Sequence, residues 1–241
     1  ISEISELLDL GVKMVALFPV ILPQKKSKNA DESLNEDNLI CRLTRKLKKE
    51  FPELIIICDV ALDAYTLNGH DGLVDSLGKI DNDKTIEMLS KMALNFAKSG
   101  ADIVAPSDMM DGRIKLIRSY LEKNKYHDTC ILSYSSKFCS NFYSPFRKAL
   151  GSEKNLGNSS KSTYQIDFRN RREAIKESLE DIEEGSDIIM VKPAGYYLDI
   201  VREIKDLTVI PIAAYQVSGE YAMIKNAVSN GIFDLRSIVL E

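Results

Sequence analysis

Six short runs of aliphatic and β-branched residues constrain this chain most: residues 12–18, 54–60, 101–105, 130–134, 187–191 and 209–214. Within them apolar residues follow one another almost without interruption. A strand with one wet face alternates apolar and polar side chains, whereas a parallel strand covered on both faces reads as a near-continuous apolar run. Segments with apolar residues at helical spacing lie between the runs, at 37–49, 83–98, 112–123, 171–184, 197–205 and 219–228. The segment 37–49, for example, places Leu39, Ile40, Leu43 and Leu47 on one face. Strand–helix alternation repeated this often predicts an α/β fold, a parallel sheet with crossover helices.

Two parallel architectures compete for such a pattern. No GxGxxG follows the first run and no GxxxxGK[ST] occurs in the chain, so the nucleotide-binding form of an open doubly wound sheet lacks its signal. The conspicuous polar residues Asp59, Ser107, Lys137, Lys192 and Tyr215 fall at or just after the ends of the apolar runs, where (β/α)8 TIM barrels carry catalytic groups. We therefore expect a single barrel domain over residues 1–241 with six of eight strands visible. One strand is expected to be missing at each end, together with an N-terminal arm. Helices are expected at 3–10 and 234–240, and polar loops at 23–36 and 151–163, the latter a mobile lid.

Lys137 and Lys192 are unusual within this pattern. An ammonium is costly to desolvate, so a lysine where a buried strand runs out is awkward as a structural residue. It is useful if the amine must be neutral and nucleophilic, because burial and a second cation both lower a lysine pKa. Two such lysines in one pocket would hold two carbonyl substrates as Schiff bases. The net charge of −4 and the lack of a basic block argue against nucleic acid as a partner, and no apolar stretch is long enough for a membrane span. The cysteines, Cys41, Cys58, Cys130 and Cys139, form no metal-binding spacing and predict free thiols in a reducing compartment. With only His70 and His127, a histidine metal cage is excluded.

The strings CDVALDAYTLNGHDGLV, APSDMMDGR, SYSSKFCSNFYSPFRKAL, YQIDFRNRREAIKES, EGSDIIMVKPAGYYLDIVREIK and AAYQVSGEYAMI resemble, in order and spacing, porphobilinogen synthase (5-aminolaevulinate dehydratase). The resemblance runs from Val12 to the end of the chain. It implies condensation of two 5-aminolaevulinate molecules into porphobilinogen, in tetrapyrrole and haem synthesis, through Schiff bases on Lys137 (acetate side) and Lys192 (propionate side). It further implies that Arg147 and Lys161 bind one substrate and that Tyr215 and Ser218 contact the carboxylate of the other. Asp59, Ser107, Phe146 and Gln165 would line the pocket.

Zinc-dependent members carry three cysteines where this chain has Ala61, Asp63 and Asp71, so the resemblance is to the zinc-free, plant-like branch. Whether Asp63 and Asp71 hold magnesium or only water stays open. Glu177 matches a ligand of an allosteric magnesium, with Asp111 in its outer shell. No organic cofactor is implied. Homo-oligomers, octamers in most members, and a plastid or cytoplasmic location are implied as well. Two other readings remain: a class I aldolase-like barrel with a single Schiff-base lysine, and a catalytically inactive barrel subunit.

Overall fold

The computed structural model describes residues 2–150 and 160–241, so most of the expected lid, residues 151–159, lies outside the described residues. The elements run α1 (Ser2–Asp9), β1 (Met14–Leu17), α2 (Leu39–Glu50), β2 (Ile55–Val60), α3 (Asn82–Lys98), β3 (Ile103–Pro106) and α4 (Arg113–Lys123). They continue with β4 (Cys130–Lys137), α5 (Ser144–Leu150), α6 (Arg171–Glu183), β5 (Ile188–Lys192), α7 (Leu198–Leu207), β6 (Ile212–Ala214), α8 (Ser218–Ser229) and α9 (Leu235–Leu240). The strands form one parallel sheet in the order β1-β2-β3-β4-β5-β6. Sequential parallel order with helical crossovers is the wall of a (β/α)8 barrel, and the described residues hold six of its strands. Helix starts follow local chemistry: Asn38, Asp81 and Asn170 each cap a helix by accepting a backbone N–H. The expected 23–36 loop contains two short 3-10 turns, Pro23–Lys25 and Asp31–Leu34.

Both faces of the sheet are apolar, as the uninterrupted runs require. Toward the helices, Leu54, Ile56, Cys58, Val60, Val104 and Ile131 pack with Leu89, Phe96, Ile117 and Leu121. Toward the barrel interior, Ile103, Ala105, Leu132, Tyr134 and Met190 form a second cluster, joined by Ile55, Ile57, Ile188 and Ala213. Side chains alternate along a strand. Two residues beyond Ile57, Ala105, Met190 and Ala213 stand Asp59, Ser107, Lys192 and Tyr215, so the polar residues continue the interior-facing rows out of the core into the barrel mouth.

Strand β4 departs from this parity. The expected run ended at Tyr134, but the strand continues to Lys137. Ser133 pairs with Ile189 and Ser136 with Val191, so three steps on β4 match two on β5. This is a bulge of one residue. It shifts the alternation so that Lys137, rather than Ser136, registers with Lys192.

A buried ionic cluster fixes the helices around β4. The Arg113 side chain is 2% exposed and forks onto both Asp181 oxygens at 3.0 and 3.1 Å. It also donates to Ser133 Oγ at 3.0 Å and to the Met110 carbonyl at 3.2 Å, and its Nε lies 3.6 Å from Asp108 Oδ2. This joins the end of β3, α4, β4 and α6. Removing one partner of such a pair leaves an uncompensated buried charge. Asp181→Ala in the full-length protein is expected to lose about 3–5 kcal/mol of stability, measured by denaturant unfolding; a loss under about 1 kcal/mol would mean that the pair behaves like an exposed one.

Candidate active site

The C-terminal ends of the strands open into a cavity of about 320 Å³. Asp59, Asp63, Asp71, Ser107, Lys137, Phe146, Arg147, Lys161, Gln165, Lys192, Tyr215 and Ser218 all line it. The structure therefore brings together every residue that sequence reasoning assigned to the pocket.

Lys192 ends β5 and is 8% exposed. Its Nζ lies 4.2 Å from the ring centre of Tyr215, 4.9 Å from Tyr134, 5.4 Å from Tyr143 and 5.9 Å from Phe146. Aromatic faces attract a cation, which would favour the ammonium. Burial works in the opposite direction and is the larger effect; with the charge of Lys137 nearby, it lowers the Lys192 pKa to about 7. Lys192 is thus partly uncharged near neutral pH. The Tyr143 hydroxyl donates to the Lys192 carbonyl at 2.9 Å, which fixes the backbone beneath the amine.

Lys137 sits in more charged surroundings. Its ammonium donates to the Ser107 carbonyl and lies 3.7 Å from Asp71 Oδ2. Asp71 Oδ1 in turn accepts from Lys161 at 2.8 Å, and Lys161 also donates to Asp63 Oδ2 at 3.0 Å. Burial alone would raise the Asp71 pKa, but the ammonium groups of Lys137 and Lys161 outweigh it and hold the carboxyl below its ordinary value. Burial likewise works against a charged Lys161, and the two aspartates overcome it, raising the Lys161 pKa. Lys161 was expected in a mobile loop as a substrate anchor. Here it is buried in a short 3-10 turn, Lys161–Thr163, and it occupies the gap between Asp63 and Asp71 where a metal had been considered. That turn is held by a β-bridge: Cys139 N donates to the Ile166 carbonyl, and Ile166 N donates to the Lys137 carbonyl. The same bridge places Gln165 in the cavity.

Asp59 stands near both amines. Burial, then the Asp63 carboxylate, raises its pKa to about 7, against the lowering effects of Ser107, Lys137 and Lys192. Its Oδ1 is buried with no hydrogen-bond partner among the described residues. Arg147, on α5, lies over the Tyr143 ring at 5.5 Å. Ser218 begins α8; its Oγ accepts from Phe146 N at 3.0 Å and donates to the Phe142 carbonyl at 3.4 Å. Sequence reasoning missed Phe18, Tyr134 and Tyr143. Tyr134 was legible by strand parity, two residues beyond the inward Leu132, and Tyr143 as four residues before Arg147. Phe18 reaches the site through a T-shaped contact with Phe146, which no local pattern announces.

A second cavity, of about 300 Å³, lies between α4 and α6. Glu177 and Asp111, paired in the sequence analysis, both line it, with Glu180, Asp181, Glu184 and Lys176. Burial and then the carboxylates of Glu180, Asp111 and Asp181 raise the Glu177 pKa to about 7. Carboxylates crowded in this way favour a proton or a bound cation.

Comparison with known proteins matches this geometry to one family. The family model described as delta-aminolevulinic acid dehydratase matches residues 1–241. The chloroplastic delta-aminolevulinic acid dehydratase of Physcomitrium patens is 48% identical over 241 residues, covering 100% of this chain and 55% of that protein. The Bradyrhizobium diazoefficiens delta-aminolevulinic acid dehydratase is 47% identical, covering 100% of this chain and 68% of that protein. A crystal structure of the Toxoplasma gondii ME49 enzyme, in complex with the reaction product porphobilinogen, matches with a TM-score of 0.96 at 46% identity; the match covers 99% of this chain and 68% of that one. The chain thus spans little more than half the length of its plant relatives. It belongs to the delta-aminolevulinic acid dehydratase (porphobilinogen synthase) family.

Proposed function

We propose that the protein carrying this chain condenses two molecules of 5-aminolaevulinate into porphobilinogen, each ketone held as a Schiff base on its own lysine. The observation that carries this reading is the register pairing of Lys137 with Lys192, side by side at the mouth of one cavity. The T. gondii relative that bound porphobilinogen supports it. An aldolase-like barrel needs one lysine and leaves the other unexplained. An inactive subunit would have no reason to keep two buried amines beside acidic partners.

We read the cavity as two halves, one for each substrate. Lys192, over the Tyr215 ring, shares its half with Ser218 and the start of α8. A helix N-terminus favours an anion, so the carboxylate of the propionate-side substrate goes there. Lys137 and Lys161 meet at Asp71, and from the family resemblance we assign Lys161 and Arg147 to the acetate-side carboxylate, to which Arg147 can offer a planar fork. Each lysine reacts with its ketone through the free-amine form, and the resulting carbinolamine loses its hydroxyl as water once a proton reaches that oxygen. Asp59 is placed to supply that proton: near pH 7 it is partly protonated, and Lys192 partly neutral.

The residues do not fit zinc. Ala61 offers no donor, and the Asp63 and Asp71 carboxylates share an ammonium. We assign magnesium to the second cavity on its crowded carboxylates: Glu177 would hold the ion, with water filling most positions and Asp111 in the outer shell. Among the described residues no three His, Cys, Asp or Glu form a ready-made metal-ligand set. Magnesium there would neutralise the crowded carboxylates; we assign it an allosteric role, with no part in the chemistry. The family resemblance supports a homo-oligomer, an octamer in our reading. Plastid-named and bacterial relatives support a plastid or cytoplasmic location. No described helix is long and apolar enough to cross a membrane.

Borohydride reduction of the full-length protein with 5-aminolaevulinate is expected to leave adducts on Lys137 and Lys192, mapped by peptide mass spectrometry. A single adduct without pyrrole would favour the aldolase-like reading. The rate of trapping at Lys192 is expected to rise as pH passes upward through about 7, because the neutral amine is the nucleophile. Continued growth toward pH 10 would mean an ordinary lysine. Glu177→Ala is expected to abolish stimulation by magnesium while leaving both adducts; undiminished stimulation would remove Glu177 from the metal site.

A further inference from the structure

Glu220, which none of the chemistry above uses, is 6% exposed at the first turn of α8. A buried carboxylate is costly unless its oxygens are hydrogen-bonded. Here each oxygen accepts from a different loop: Oε2 from Val217 N at 2.7 Å, and Oε1 from Gly195 N at 2.8 Å. The first bond reaches back to the residue before the helix, where Val217 has no capping side chain of its own. The second crosses to the loop that leaves Lys192. Ala194 N donates to the Tyr215 carbonyl at 2.9 Å alongside it, so two bonds tie the loops after β5 and β6. The fit is tight, since a Cβ on Gly195 would lie 2.6 Å from Glu220 Oε1.

These loops carry the two ends of one half of the cavity. Lys192 stands three residues before Gly195, and Ser218 follows Val217 directly. We infer that Glu220 is a positioning residue that sets the distance between the Lys192 amine and the carboxylate pocket at Tyr215 and Ser218. The role rests on the proposed reaction, because only a substrate with a ketone at one end and a carboxylate at the other needs that distance held. Glu220 touches no substrate. It acts by keeping two loops in register, so its loss affects the Lys192 half and leaves the Lys137 half intact. The Lys137 half is built on β4, Ser107 and the 161–166 segment, none of which Glu220 contacts.

The test uses the full-length protein with Glu220→Gln and, from the opposite side of the same contact, Gly195→Ala. The glutamine keeps the size of the side chain but presents an NH2 group to one of the two N–H donors. Both variants are expected to raise KM for 5-aminolaevulinate roughly tenfold, about 1.4 kcal/mol. In borohydride trapping below saturation, the Lys192 adduct is expected to fall while the Lys137 adduct stays at the wild-type level. Amide hydrogen exchange, which needs no activity, is expected to speed up at residues 194–197 and 215–218, with β5 still protected. Unchanged KM and adduct ratio in an active Glu220→Gln protein would overturn the positioning role alone, as would equal loss of both adducts in step with loss of folded protein. A wild-type protein that makes no pyrrole would instead overturn the proposed function, and the positioning role with it; the exchange data would still report whether the strap exists.

Discussion

The site depends on one extra residue in β4. In a regular parallel pair, side chains two apart face the same way, and the inward row of β4 would run from Leu132 through Tyr134 to Ser136. The bulge between Ser133 and Ser136 hands the next inward position to Lys137 and sets it opposite Lys192. A register change of one residue exchanges the faces of a strand. Without the bulge, the Lys137 amine would be directed toward the helix layer, and the cavity would keep only one of the two strand-end lysines. The serines in this stretch tolerate the irregularity because each finds a local partner: Ser133 Oγ donates to Asp181, and Ser136 Oγ donates to the Ala174 carbonyl at 2.9 Å.

The two amines are adjacent but differently housed. Lys137 has Asp71 within 3.7 Å and a carbonyl as acceptor, whereas Lys192 faces aromatic rings. Charge in one half and apolar surface in the other give two identical functional groups distinct electrostatic environments. Lys161 completes the arrangement. By closing ion pairs with half-buried Asp63 and buried Asp71, it keeps the two carboxylates from repelling each other and places a cation beside Lys137.

The same logic ties the site to the acidic cavity between α4 and α6. Asp108 follows Ser107, whose carbonyl receives the Lys137 proton donor, and Asp108 lies 3.6 Å from Arg113. Arg113 is held by Asp181, and both line the cavity that contains Glu177. A series of buried polar groups therefore lies between the carboxylate cluster and the Lys137 backbone partner.

The sequence by itself determined the parallel sheet, the six strands and the place of four polar residues at the strand ends. These follow from near-neighbour patterns: two-sided burial writes an unbroken apolar run, and the parity of a strand carries Asp59, Ser107, Lys192 and Tyr215 inward from the core rows. Tertiary structure alone decided the rest, because those relations join residues far apart in the chain. The bulge depends on the register between β4 and β5, so a local reading stopped the strand at Tyr134. The Lys161 contacts span 98 and 90 positions, to Asp63 and Asp71, and turned an expected loop lysine into a buried ion pair. By position Glu220 is a first-turn acid of α8. Its second hydrogen bond, to Gly195, exists only once the loops after β5 and β6 have come together.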